Sequence, residues 1–112
     1  MSEKLRVVIK EVGKKAKVEI VEIVENTLEA FQEVVDGYIE ILPLNSNLVI
    51  VLNEEGKLLD LETNITISNG SAKDNLVGNI LFVNTNNDLG TFESITDENL
   101  DFLEDMGLRI EL

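Results

Sequence analysis

From Leu5 to Lys10 apolar and polar positions tend to alternate, with Leu5, Val7 and Ile9 on one side of the chain and Arg6, Val8 and Lys10 on the other. Ala16, Val18 and Ile20 repeat that two-residue period, as expected of a strand with one face against a core. The segment between them, Val12 to Lys15, holds Gly13. A β-hairpin is therefore the first element expected.

The period then changes. Asn26 stands three positions ahead of Glu29, a variant of the capping box that opens a helix. Leu28, Ala30, Phe31, Val34 and Val35 share one arc of a helical wheel, and Glu29, Gln32, Glu33 and Asp36 share the opposite one, which predicts an amphipathic helix. Gly37 is placed to end it in a left-handed cap.

Tyr38 to Leu42 reads as a strand, Pro43 to Asn47 as a loop, and Leu48 to Leu52 as a strand apolar on both faces. Asn53 to Lys57 looks like a turn leading back to Leu58–Leu61, a second hairpin. Thr63, Ile65 and Ile67 alternate with polar residues, Asn69-Gly70 signals a turn, and Val77 to Asn84 predicts a further strand. The polar stretch Ser68 to Asn75 reads as a loop. Thr96 caps a second helix with Asp97 and Glu98 in its first turn, favourable against the positive end of the helix dipole. Its expected buried side is Leu100, Leu103 and Met106 with Phe102 at the margin. Asp97, Glu98, Asp101, Glu104 and Asp105 fill the outer side, Met106-Gly107 ends the helix, and Leu108 to Leu112 offers a short last strand.

These elements predict an α+β class: a mixed, mainly antiparallel sheet with two amphipathic helices packed on it, in the order β-β-α-β-β-(β)-β-α. No repeat or linker divides the 112 residues, so residues 1–112 are expected to form a single domain. A chain of this length buries roughly 60–70% of its unfolded surface without a metal or disulfide staple. Strand order stays open, as does oligomeric state, because the two-sided apolar strand accepts either helices or a second copy as cover.

Charge alters this picture. The net charge is −13, and it is unevenly spread: residues 1–17 carry +4 and the remainder −17. Such a field repels nucleic acid and anionic membranes over most of the surface while leaving one basic hairpin. Neither general nucleic-acid binding nor membrane association is expected. The longest apolar run, Leu48 to Leu52, is far short of the roughly 20 residues of a membrane helix. The charged start lacks the apolar stretch of a signal peptide, which makes a cytoplasmic location the expectation.

Composition removes most catalytic chemistry. With no Cys and no His, thiol nucleophiles, Ser-His-Asp arrangements and the usual zinc sites are excluded. Asn84, Asn86 and Asp88 occupy the first, third and fifth places of a calcium-loop pattern, but Leu89 and Ile95 stand at its sixth and twelfth, where an EF-hand needs Gly and Glu. There is no G-x-G-x-x-G or Walker A sequence. No cofactor, no metal and no enzymatic activity are expected.

The stretches from Val21 to Leu42, Leu52 to Leu61 and Gly78 to Glu98 resemble, in order and spacing, a family of short uncharacterised proteins of Gram-positive bacteria, their phages and mobile elements. Nearly the whole chain is covered. After the turn at Asn53–Lys57 the family pattern often has a Pro and an Asn-Arg pair, where this chain has Glu62 and Asn64-Ile65. The resemblance implies an accessory gene.

The function expected is that of a non-enzymatic binding protein engaging a host protein through acidic helix faces, Glu29, Glu33 and Asp36 on the first helix and Asp97, Asp101, Glu104 and Asp105 on the second. One alternative is a DNA-mimic inhibitor of a nucleic-acid-binding enzyme. Glu29 and Glu33 would stand roughly 6 Å apart along a helix, against one phosphate per ~3.4 Å of a DNA strand, so mimicry requires both acidic faces side by side. The other alternative is capture of a nucleotide or similar anion by Lys10, Lys14, Lys15 and Lys17, with Tyr38 stacking.

Overall fold

A computed structural model describes residues 4–13, 16–19, 26–69, 72–88, 90–108 and 110–111. Strands β1 (Val7–Lys10) and β2 (Ala16–Glu19) pair antiparallel as the expected hairpin. There follow α1 (Leu28–Val35), β3 (Ile39–Pro43), β4 (Leu48–Asn53), β5 (Thr63–Asn69), β6 (Ala72–Val77), β7 (Ile80–Asn86), β8 (Thr91–Glu93), α2 (Asp97–Asp105) and β9 (Ile110–Glu111). The main sheet runs β3-β4-β7-β1-β2-β9, with β8 pairing β7; β5 and β6 form a separate hairpin. Every pairing is antiparallel except β2 with β9, so the α+β class with a mainly antiparallel sheet holds.

All six residues of β4 are buried, because successive side chains point to opposite faces of the sheet and both faces are covered. Val49 and Val51 join Val7, Leu81 and Val83 beneath Phe31 and Val35 of α1. Leu48, Ile50 and Leu52 face the other way, joining Val8, Ile80 and Phe82 against Leu100 and Leu103 of α2 and Leu76 of β6. Each fully buried side chain of this kind contributes about 1.5–3 kcal/mol relative to exposure. Helix α1 thus covers one face, and α2 with the β5–β6 hairpin covers the other. No helix among the described residues is long and apolar enough to cross a membrane.

Several local expectations change. The α1 cap is Thr27, whose hydroxyl accepts from the Ala30 N–H, while Asn26 donates its amide to the Phe92 carbonyl. Asp36, not Gly37, takes the left-handed conformation at the end of α1, with φ 59°. Gly37 is required for a different reason: a Cβ there would lie 2.6 Å from Nδ2 of Asn53. Residues 54–60 form successive turns and no strand follows at 58–61, because both edges of β4 are already occupied by β3 and β7. Leu58 is left 87% exposed.

The stretch expected as a polar loop contains β6, whose Lys73 to Asn75 pair with Thr66 to Ser68. Backbone pairing, not apolar alternation, defines that strand. On α2, Met106 is 44% exposed and Asn99 is buried in its stead. The helix is rolled toward a polar anchor that its apolar spacing does not reveal.

Candidate functional site

The expected acidic surface is built as two separate stripes. Glu29, Glu33 and Asp36 are exposed on α1, and Asp97, Asp101, Glu104 and Asp105 are exposed on α2. Since α1 and α2 pack on opposite faces of one sheet, the stripes do not lie side by side. The geometry that mimicry of a DNA strand requires is absent. Of these acids Asp97 alone holds a cation among the described residues: Arg6 Nη2 lies 3.0 Å from its Oδ1. The same guanidinium donates to the Ile95 carbonyl at 2.6 Å, tying the start of the chain to the N-terminal end of α2.

The expected anion site does not come together around Tyr38. Lys10 is on β1 and Tyr38 immediately precedes β3, with β4 and β7 between the two strands, a separation of about 14 Å at sheet spacing. Lys10 Nζ instead donates to Asn64 Oδ1 at 2.8 Å, and Asn64 returns its amide to the carbonyls of Lys10 and Gly78. Asn64 sits at the irregularity in the β5–β6 register, where a bulge re-aims a side chain. Lys14, Lys15 and the Lys17 side chain lie outside the described residues.

Asparagines form the polar interior that the sequence did not disclose. Asn99 Nδ2 donates to Asn84 Oδ1 at 2.9 Å and to Asn47 Oδ1 at 3.2 Å, and its Oδ1 accepts from Asn45 at 3.1 Å. Asn84 Oδ1 also accepts from the Thr96 N–H. Residues singled out by the calcium-loop pattern are therefore engaged otherwise: Asn84 anchors α2, and Asn86 donates to Glu93. No group of acids placed to hold a metal occurs among the described residues.

A second feature escaped the sequence altogether. Strand β3 ends the main sheet, and on each of its faces there is a concavity. One, of about 250 Å³, has Leu42, Leu52 and Leu76 among its walls together with Glu40, Glu54 and Asp74. It is smaller than the roughly 300 Å³ at which small-molecule sites begin, and suits one or two side chains. Lys57 also borders it, bonded to Asp74 at 2.8 Å. That bond, the larger cause, and the charge of Asp74 raise the Lys57 pKa, so the ammonium stays charged through neutral pH and gives up its proton only in strongly alkaline solution. The other concavity, about 480 Å³, is an open groove along Ile41, Pro43, Val49 and Phe92.

Neither the curated proteins nor the solved structures contain a match to the chain. A family profile does match, over residues 5–107, spanning the hairpin, both helices and every strand but the last. The chain accordingly belongs to the family defined by a domain of unknown function, DUF3846.

Proposed function

We propose that the protein is a non-enzymatic binding module, an accessory protein of phage or mobile-element type, that engages a positively charged host protein through its acidic surface. The observation that carries this reading is α2, where Asp97, Glu98, Asp101, Glu104 and Asp105 all face solvent and Arg6, bridged to Asp97, is the one cation paired with these five acids among the described residues. A surface of one sign steers a complementary partner and sets on-rate and partner choice more than affinity. No His or Cys is present to support the commonest catalytic chemistries, and the polar interior consists of amides already engaged with one another.

Affinity capture from a bacterial lysate, at low and at raised salt, provides the test. A Asp101→Asn, Glu104→Gln, Asp105→Asn variant leaves the Arg6–Asp97 bridge intact. The expected outcome is a partner retained by the native chain and released by this variant and by salt screening. Retention of the same partner by the variant, or no partner at either salt, would sink the reading and leave the acids a role in solubility.

A further inference from the structure

We infer that the outer edge of β3, unpaired among the described residues, is a strand-addition site for an extended, basic segment of the partner protein. The inference rests on the binding-module reading for the sign of the partner's charge; the edge geometry is independent of it. In the β3–β4 ladder the N–H of Leu44 bonds the carbonyl of Leu48, and the N–H of Glu54 bonds the carbonyl of Tyr38. With the register Glu40↔Leu52 and Leu42↔Ile50, even-numbered residues direct their backbone groups at β4. Alternation then directs those of Ile39, Ile41 and Pro43 away from the sheet. Pro43, which has no N–H to offer, occupies one of these outward positions, as proline does on edge strands. Among the described residues nothing pairs with the outward groups of Ile39 and Ile41.

A second copy of this chain is a poor occupant in the symmetric registers centred on Glu40, Ile41 and Ile39. Pairing centred on Glu40 sets like charges opposite each other at a close approach of about 4.5 Å. Centred on Ile41, it sets Ile39 against Pro43, which lacks a donor. Centred on Ile39, it calls on the Gly37 N–H, already given to the Gln32 carbonyl at 3.0 Å. The net charge of −13 on each copy adds long-range repulsion.

The two concavities fit a hetero-partner. On an added strand the residue opposite Glu40 projects to the same face as Glu40, over the cavity bordered by Leu42, Leu52, Glu40 and Glu54. The stem of an Arg or Lys would lie on the leucines with its charge at the carboxylates. Its two neighbours project to the other face, beside the groove of Ile41, Pro43 and Phe92. The segment recognised is thus an alternating apolar–basic–apolar strand, held by main-chain bonds to Ile39 and Ile41.

The test uses the whole isotopically labelled chain with a capped Thr-Thr-Val-Arg-Val-Thr-Thr peptide and its counterpart bearing Glu in place of Arg. The arginine peptide should bind about fivefold tighter or more and slow hydrogen exchange at the Ile39 and Ile41 amides. Glu40→Lys should invert the preference. Ile41→Pro removes one outward donor and should weaken both peptides while the Glu40 and Leu42 amides stay protected. Perturbation confined to α2, absence of protection at Ile39 and Ile41, or a dimer that Ile41→Pro dissolves would each overturn the assignment. A partner lost on neutralising α2 but indifferent to Glu40→Lys and Ile41→Pro would fell the edge and spare the acidic-surface reading. Peptide binding at the edge by a chain that captures no partner would do the reverse.

Discussion

Asn53 closes α1 from the neighbouring strand. Its Nδ2 donates to the carbonyls of Val35 and Asp36 at 3.1 and 3.2 Å, and its Oδ1 accepts from the Glu55 N–H at 2.8 Å. Carbonyls at a helix end need such partners once they are buried. Asn53→Asp replaces the donor with an oxygen facing two carbonyls and should cost about 2–4 kcal/mol in denaturant unfolding. Gly37→Ala drives a Cβ to 2.6 Å from the same nitrogen. That side chain cannot yield without giving up its bonds, so the expected loss is about 1–3 kcal/mol. Adding Asn53→Ala to Gly37→Ala removes the clash, and the double variant should lose less than the two single losses together. The sequence pointed to Gly37 as a left-handed helix cap, a conformation that Asp36 takes instead, and it did not point to Asn53, which dictates the glycine from another element. In β5, Asn64 binds two carbonyls and Ile65 packs against the α2-side core.

At the scale of elements, α2 is the clearest case of spacing read correctly in part. Thr96 was legible as its cap, and its hydroxyl accepts from the Asn99 N–H at 3.2 Å. Thr96→Ala should cost about 1 kcal/mol, with Thr96→Ser near neutral, as measured by thermal or denaturant unfolding. The roll of the helix was not legible. Asn99 enters the interior because Asn45, Asn47 and Asn84, from a loop and from β7, saturate its amide, and a polar residue is buried only where such partners converge. Asn99→Leu keeps the branch at Cγ but is bulkier and orphans those amides, and should destabilise by about 1–3 kcal/mol. The β5–β6 hairpin makes the complementary point: Thr66 Oγ1 donates to Asn75 Oδ1 at 2.7 Å across the pair, so polar side chains line a strand that hydrophobic alternation overlooks.

For the whole molecule, the placement of α1 and α2 on opposite faces divides the acid charge between two sides of the sheet. Division lessens but does not remove self-repulsion at −13. Raising ionic strength from about 0.01 M to 0.15 M shortens the screening length from roughly 30 to 8 Å, and the thermal midpoint should rise over that range. A midpoint unchanged or lowered by salt would show that the acids are already compensated in the fold.

The sequence by itself determined the residue periods, hence the first hairpin, both helices with Thr96 as a cap, the doubly buried Leu48–Leu52 strand, the absence of imidazole and thiol chemistry, and family membership. These follow from local spacing and composition, which the chain carries wherever it folds. The tertiary structure alone decided that β4 lies between β3 and β7, that Leu58–Leu61 finds no ladder, that the two acidic stripes face apart, and that β3 ends the sheet, unpaired on its outer side among the described residues, with a concavity on either face. Each depends on which strands meet, and the long-range pairing that settles it brings together residues whose sequence neighbourhoods say nothing about one another.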